Sequence, residues 1–97
     1  MRVLVIDDDD ALREVISGAL EFQGYEVAQA NNGRKGVDLL DGTLVDLVTT
    51  DIIMPEQEGV ETILEIRKKF PDLKIIAMSG GTRFRTMDYL AVAENSV

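Results

Sequence analysis

The sequence predicts an α/β fold, a doubly wound parallel sheet with helices on both faces. Four short apolar segments alternate with four segments whose apolar residues recur at helical spacing. This β-α alternation implies parallel strands joined by right-handed crossovers. One βα unit needs about 25 residues, so the 97 residues of the chain fit four units in one small domain, residues 1–97.

The four strands are predicted from short runs of apolar residues. The first, third and fourth runs are nearly continuous, which is typical of strands buried on both faces. The predicted strands cover residues 3–6, 25–28, 45–48 and 74–78.

The first helix is predicted from five apolar residues on one helical face. Asp10 is the predicted N-cap, and Gly24 is the predicted stop at the carboxyl end. The five apolar residues are Leu12, Val15, Ile16, Ala19 and Leu20.

Three further helices follow from shorter patterns. The second begins after the turn-like Asn31-Asn32-Gly33, and the third ends at Phe70-Pro71. The apolar positions are Val37, Leu39 and Leu40 in the second helix, Val60, Ile63, Leu64 and Ile66 in the third, and Phe84, Met87, Leu90 and Ala91 in the fourth.

The composition excludes several classes of site. The chain has no cysteine and no histidine, which excludes a disulfide framework, the usual zinc sites and histidine general-base catalysis. The net charge of −8 argues against direct nucleic-acid contact. No segment approaches the roughly 18 apolar residues of a membrane span, and the N-terminus has no secretory cleavage pattern. We therefore expect a cytoplasmic protein that does not contact a membrane.

Acidic residues follow two of the predicted strands. The first strand leads into residues 7–10, four aspartates, and the third leads into Asp51. In a doubly wound sheet, ligands bind outside the carboxyl ends of the strands at the switch point, so we expect Asp7, Asp8 and Asp51 to lie together. Clustered carboxylates repel one another, and Mg²⁺ would resolve the conflict. The chemistry that follows is attack of a carboxylate on phosphorus.

Each acidic position also has a simpler interpretation. Aspartate runs often form solvated turns or helix caps, which is what we expect of Asp9 and Asp10. Asp51 is harder to explain in this way, because it ends an apolar strand. Ser79 follows the fourth predicted strand, where its hydroxyl could donate to a phosphoryl oxygen; the alternative is a helix-capping serine.

Taken together, these segments resemble the response-regulator receiver family of two-component signalling over the whole chain. The resemblance implies a flavodoxin-like fold with strand order 2-1-3-4. It rests on residues 3–9, 24–27, 46–48, 51–55 and 75–79, with Asn32-Gly33, Gly36 and Gly59.

The resemblance also implies residue roles. Asp51 is similar to the phosphoacceptor of the family. Asp8 resembles a direct Mg²⁺ ligand, and Asp7 would act mainly through water. Asp51 and the backbone carbonyl of Ile53 would complete the protein ligands. Ser79 resembles the residue that bonds the phosphoryl group and reorients on activation.

The implied function is that of a switch. The domain would take a phosphoryl group from a sensor histidine kinase or a phosphotransfer protein and alter a partner surface. Its own chemistry would be limited to self-phosphorylation and slow autodephosphorylation at Asp51, without turnover of a separate substrate.

One departure from the family pattern concerns a fifth βα unit, whose strand ends in a lysine followed by proline. The chain ends before that unit, and its lysines are Lys35, Lys68, Lys69 and Lys74. We therefore expect the fifth βα unit to be missing and the fourth strand to form an exposed edge. A fragment of a longer protein and a homodimer completed by exchange between protomers are the two alternatives.

Two other functions compete with the phosphoacceptor. A receiver-like interaction module would bind its partner without phosphorylation, and the absent lysine favours it. A Mg²⁺-dependent phosphohydrolase with an aspartyl nucleophile in the first acidic loop is disfavoured, since it would need a lysine late in the chain.

Overall fold

The structure, a computed structural model, describes residues 1–51 and 58–78. The predicted fourth helix and the predicted site residues Ile53 and Ser79 lie outside this part of the chain. Seven elements alternate along it, namely β1 (Arg2–Ile6), α1 (Asp10–Phe22), β2 (Glu26–Ala30), α2 (Gly33–Gly42), β3 (Leu47–Asp51), α3 (Glu58–Lys69) and β4 (Lys74–Met78).

The strands of the described residues form one parallel sheet in the order β2-β1-β3-β4. Parallel strands need crossover connections, which the three helices supply. This confirms the predicted fold class and strand order. The switch point therefore lies between β1 and β3, at their carboxyl ends.

Strand bounds agree with the prediction for β4, β1 begins one residue earlier than predicted, at Arg2, and the bounds of β2 and β3 differ. β2 begins at Glu26 because the N–H of Tyr25 donates to the carbonyl of Leu20 (3.1 Å), which keeps Tyr25 in the turn after the helix. β3 begins and ends later than predicted, and it includes Asp51, which pairs with Met78 of β4. Strand pairing therefore fixes the backbone of Asp51.

The ends of α1 are fixed by Asp9 and Gly24. The prediction that Asp10 is the N-cap is wrong: the carboxylate of Asp9 accepts the N–H of Leu12 (3.0 Å), and Asp10 is the first helical residue. Only Asp9 has the extended backbone that a cap requires. Gly24 adopts φ +96°, so the predicted stop is confirmed.

The apolar face of α1 is only half covered. Ile16 and Leu20 are partly buried, whereas Leu12 and Val15 are exposed. Ser17 is the buried residue of the helix. Ile16 and Leu20 lie beside Ser17 on the helix, so the described structure partly covers only this part of the predicted face.

The main core lies between the sheet and the helices α2 and α3. Leu4 and Ile6 point to this side of β1, and Val3 and Val5, also fully buried, point to the side of α1. α2 packs closely at Gly36, since a Cβ there would collide with the side chain of Ile6. The core cluster comprises Leu4, Ile6, Ala30, Val37, Leu40, Val45, Val48, Ile63, Ile66, Ile75 and Ala77.

Within residues 1–51 and 58–78, no helix combines the length and the apolar content that crossing a bilayer requires.

Candidate functional site

Two neighbouring strands bring the candidate site together. β1 and β3 pair in parallel, with Ile6 opposite Thr50. The next residues along the two strands are Asp7 and Asp51, so both reach the same edge of the sheet. Asp8 follows in the loop that leads to α1.

The three carboxylates lie close enough to share one cation. One carboxylate oxygen from each of Asp7, Asp8 and Asp51 lies within 4.8 Å of the other two. Asp7 and Asp51 are buried, at 1% and 5% exposure, and Asp8 is exposed. A ligand at this position would thus meet two buried carboxylates and one that is open to solvent.

Asp7 is held on several sides. Its backbone N–H donates to the carbonyl of Ala30 (3.1 Å), and its Oδ1 accepts the N–H of Asp9 (2.9 Å). Its other carboxylate oxygen, Oδ2, is buried and has no hydrogen-bond partner among the residues that the structure describes. A buried anionic oxygen without a partner is costly, which points to a ligand.

The surroundings of Asp7 disfavour its ionised form. Burial is the largest cause that raises the pKa of Asp7 above its ordinary value. The N–H of Asp9 acts in the opposite direction, and the negative charges of Asp51, Asp8 and Asp9 raise the pKa further. A cation between the carboxylates would instead favour the ionised form of Asp7 and lower its pKa.

The donor set suits a hard cation. Mg²⁺ takes oxygen ligands, keeps several of its waters and typically uses one or two carboxylates. The acidic side chains that the described residues bring together offer carboxylate oxygens, and two of the three carboxylates are buried. The orphaned Oδ2 of Asp7 is the observation that best fits such an ion.

Arg13 supports the acidic loop from α1. Its Nη1 donates to the backbone carbonyl of Asp7 (3.0 Å) and to Oδ1 of Asp10 (2.6 Å), and its Nε donates to Oε1 of Gln29 on β2 (3.1 Å). Arg13 was not among the predicted site residues. The signal was a basic residue three positions after Asp10, inside a largely apolar helical pattern.

Two threonines precede Asp51 in the buried strand. The hydroxyl of Thr50 donates to the carbonyl of Asp51 (3.2 Å), and the hydroxyl of Thr49 contacts the sulfur of Met78 (3.7 Å). Both side chains are buried. Their hydroxyls thus find partners inside the sheet, next to the acidic cluster.

The predicted site residues divide into two groups. The structure brings Asp7, Asp8 and Asp51 together as expected. Asp9 serves as a helix cap, and Asp10 pairs with Arg13. Ile53 and Ser79 lie outside the described residues, so their roles stay predictions.

A doubly wound α/β domain with acidic side chains at its switch point is the class that the fold and the site define. The family model for the response regulator receiver domain matches residues 3–94. The chain therefore belongs to the response regulator receiver family of two-component systems.

Relatives support this assignment. Response regulator MprA from Mycolicibacterium vanbaalenii is 38% identical over 79 residues, which are 81% of this chain and 34% of that protein. Chemotaxis protein CheY from Thermotoga maritima is 43% identical over 79 residues, 80% of this chain and 66% of that protein. The chain thus spans about a third of MprA.

Solved structures show the same fold. Response regulator TrrA from Thermotoga maritima, in complex with Mg²⁺ and BeF, has a TM-score of 0.80 at 38% identity, covering 95% of this chain and 79% of that one. TrrA in complex with the histidine kinase ThkA also has a TM-score of 0.80 at 38% identity, covering 95% of this chain and 78% of TrrA.

Proposed function

We propose that this chain accepts a phosphoryl group on the carboxylate of Asp51, with Mg²⁺ as cofactor. The observation that carries the proposal is the triad of carboxylates at the switch point, with one buried oxygen of Asp7 that lacks a partner among the described residues. Simple solubility would not bury two aspartates side by side. Binding of a cation and a phosphoryl group would offset the free-energy cost of burying these two carboxylates together.

The protein ligands of Mg²⁺ would be the carboxylates of Asp8 and Asp51 and the carbonyl of Ile53, with Asp7 acting mainly through water. Bound Mg²⁺ would offset the negative charge on the phosphoryl oxygens. Ser79 would donate its hydroxyl to one of these oxygens. The resemblance to the family supports these roles for Ile53 and Ser79.

The chemical step needs little from the protein beyond position. An oxygen of Asp51 attacks phosphorus, and an acyl phosphate forms. The bond from phosphorus to the imidazole nitrogen of the donor breaks, and that nitrogen keeps the electron pair and takes a proton from solvent. Strand pairing with Met78 fixes the backbone of Asp51, which helps to position its nucleophilic carboxylate.

The proposed donor is a sensor histidine kinase or a phosphotransfer protein. The solved complex of TrrA with the histidine kinase ThkA supports a partner of this kind. Phosphorylation would then alter the surface that a downstream partner reads. The expected chemistry stops at self-phosphorylation and slow autodephosphorylation at Asp51.

Acetyl phosphate provides a test that needs no kinase. The chain is incubated with acetyl phosphate and Mg²⁺, and its intact mass is measured. We expect one phosphoryl adduct in the wild type and its loss in Asp51→Ala or in EDTA. An adduct that persists in Asp51→Ala would contradict the assignment of Asp51.

A receiver-like module that binds its partner without phosphorylation is the second candidate. Within residues 1–51 and 58–78, no lysine follows the carboxyl end of a strand, where it could neutralise a phosphoryl group, and this favours the second candidate. Lys35 lies on α2, Lys68 and Lys69 lie on α3, and Lys74 begins β4. A wild-type chain that binds Mg²⁺ yet gains no adduct would support this candidate.

A further inference from the structure

Arg13 holds the peptide between Asp7 and Asp8 from the first turns of α1. Its guanidinium donates to the carbonyl of Asp7 (3.0 Å). The nitrogen of the same peptide group belongs to Asp8, which carries one of the three carboxylates. We propose that Arg13 is a positioning residue for Mg²⁺ binding, an inference that rests on the proposed function above. Arg13 acts through the backbone and touches neither the metal nor the phosphoryl group.

The contacts of Asp7 show what Arg13 adds. The N–H of Asp7 is fixed by Ala30, and its Oδ1 is fixed by the N–H of Asp9. Arg13 fixes the remaining backbone group, the carbonyl. With these three groups occupied, Oδ2 is left for a ligand. Rotation of the peptide after Asp7 would move Asp8 away from the other two carboxylates.

The guanidinium is itself anchored at two more points. It contacts Asp10 in the first turn of α1 (2.6 Å) and Gln29 near the end of β2 (3.1 Å), and only 14% of its side chain is exposed. Arginine presents its donors in a rigid planar fork, whereas lysine has one ammonium group on a flexible stem. Lysine could replace one of these contacts but not all three at once.

The effect of Arg13 is therefore geometric. Its Nη1 contacts the carbonyl of Asp7 rather than the carboxylate, and its charge is paired with Asp10. Outer groups that orient metal ligands typically contribute 10- to 100-fold to metal affinity. We expect a loss near the lower limit of this range, because the contact reaches the ligands through one peptide.

Arg2 offers a matched control at the other end of β1. Its side chain also donates to a backbone carbonyl, that of Leu44 (3.4 Å), and to a carboxylate, that of Glu26 (2.8 Å). Arg2→Ala thus removes contacts of the same kind, away from the acidic cluster. It separates general destabilisation from an effect on the site.

The experiment measures the Mg²⁺ affinity of the full chain by isothermal titration calorimetry. We expect Arg13→Ala to bind Mg²⁺ about tenfold more weakly than the wild type, Arg13→Lys to lie between them, and Arg2→Ala to keep the wild-type affinity. Equal affinities for Arg2→Ala and both Arg13 variants would overturn the proposal. Arg13→Lys serves as the test if Arg13→Ala does not fold.

A second readout needs no metal. The N–H of Asp9 reports the loop, since it donates to Oδ1 of Asp7. Its hydrogen exchange should accelerate in the Arg13 variants and not in Arg2→Ala. If the wild type binds no Mg²⁺, the proposed function fails, and this exchange rate alone decides the role of Arg13: an unchanged rate would overturn it.

Discussion

The sheet has a carboxyl edge and an amino edge, where its parallel strands end and begin. The pKa values of carboxyl groups at these two edges are shifted in opposite directions. At the carboxyl edge, burial and neighbouring negative charges raise the pKa of Asp7. At the amino edge, the hydrogen bond from Arg2 and the charge of its guanidinium lower the pKa of Glu26. β1 begins at Arg2 and ends at the residue before Asp7, so this one strand connects the two edges.

The amino edge is a satisfied network. The backbone N–H of Arg2 donates to Oδ2 of Asp46 (2.8 Å), and its guanidinium pairs with Glu26 (2.8 Å). Asp46 and Glu26 thus each accept from a donor, whereas Oδ2 of Asp7 has no partner within residues 1–51 and 58–78. Because the fold pairs these two carboxylates at the amino edge, we infer that the buried oxygen of Asp7 without a described partner marks a ligand position rather than poor packing.

The largest expected effect follows from neutralising Asp7. In the folded chain Asp7 has a raised pKa, so the folded state binds the proton more tightly than the unfolded state. Stability therefore falls as pH rises from the ordinary value of 3.8 through the raised pKa. Without divalent cations, Asp7→Asn should stabilise the chain at neutral pH by about 1 kcal/mol, or roughly 4–8 °C in Tm.

Thermal unfolding in EDTA across a pH series measures this gain. The gain should shrink as the pH falls through the raised pKa of Asp7 and level off below the ordinary value of 3.8, where Asp7 is protonated in both states. Added Mg²⁺ should stabilise the wild type more than the variant and narrow the difference. A lower Tm for Asp7→Asn at neutral pH would contradict the account of the carboxyl edge.

A smaller effect of opposite sign is expected at the amino edge. Since the pKa of Glu26 is lowered in the folded chain, its ionised form stabilises the fold above the ordinary value of 4.5, and that contribution is lost as pH falls through the lowered pKa. Glu26→Gln should slightly lower Tm at neutral pH, because exposed ion pairs contribute little.

The same pH series checks Glu26→Gln, with Mg²⁺ affinity as its control. The two variants should shift Tm in opposite directions at pH 7, and only Asp7→Asn should change the response to Mg²⁺. Equal responses of both variants to Mg²⁺ would remove the distinction between the two edges.

The position of the acidic triad could be predicted because it follows from topology. Parallel strands end at one edge of a sheet, so the residues after the first and third strands had to meet. Two adjacent aspartates could both cap α1, and only the backbone geometry selects Asp9. The bounds of β3 shifted for a related reason, since apolar content does not show where pairing ends.

The contacts that hold the acidic triad and the amino edge in place could not be predicted, because they join residues that are distant in sequence. Arg13 and Gln29 are 16 positions apart, and Arg2 and Asp46 are 44 apart. No local pattern pairs such residues. The half-covered face of α1 is a similar case, because periodicity marks an apolar face but not which part of it packs against the sheet.

If the acidic triad is a metal site, Mg²⁺ should bind at the carboxyl edge of the sheet and not at the amino edge. A Mg²⁺ titration followed by amide ¹H–¹⁵N chemical shifts tests it most directly. We expect saturable shifts for Asp7, Asp8, Asp9 and Asp51, with Arg2, Glu26 and Asp46 unchanged. Shifts centred on Glu26 and Asp46, or no saturable shift at either edge, would contradict it.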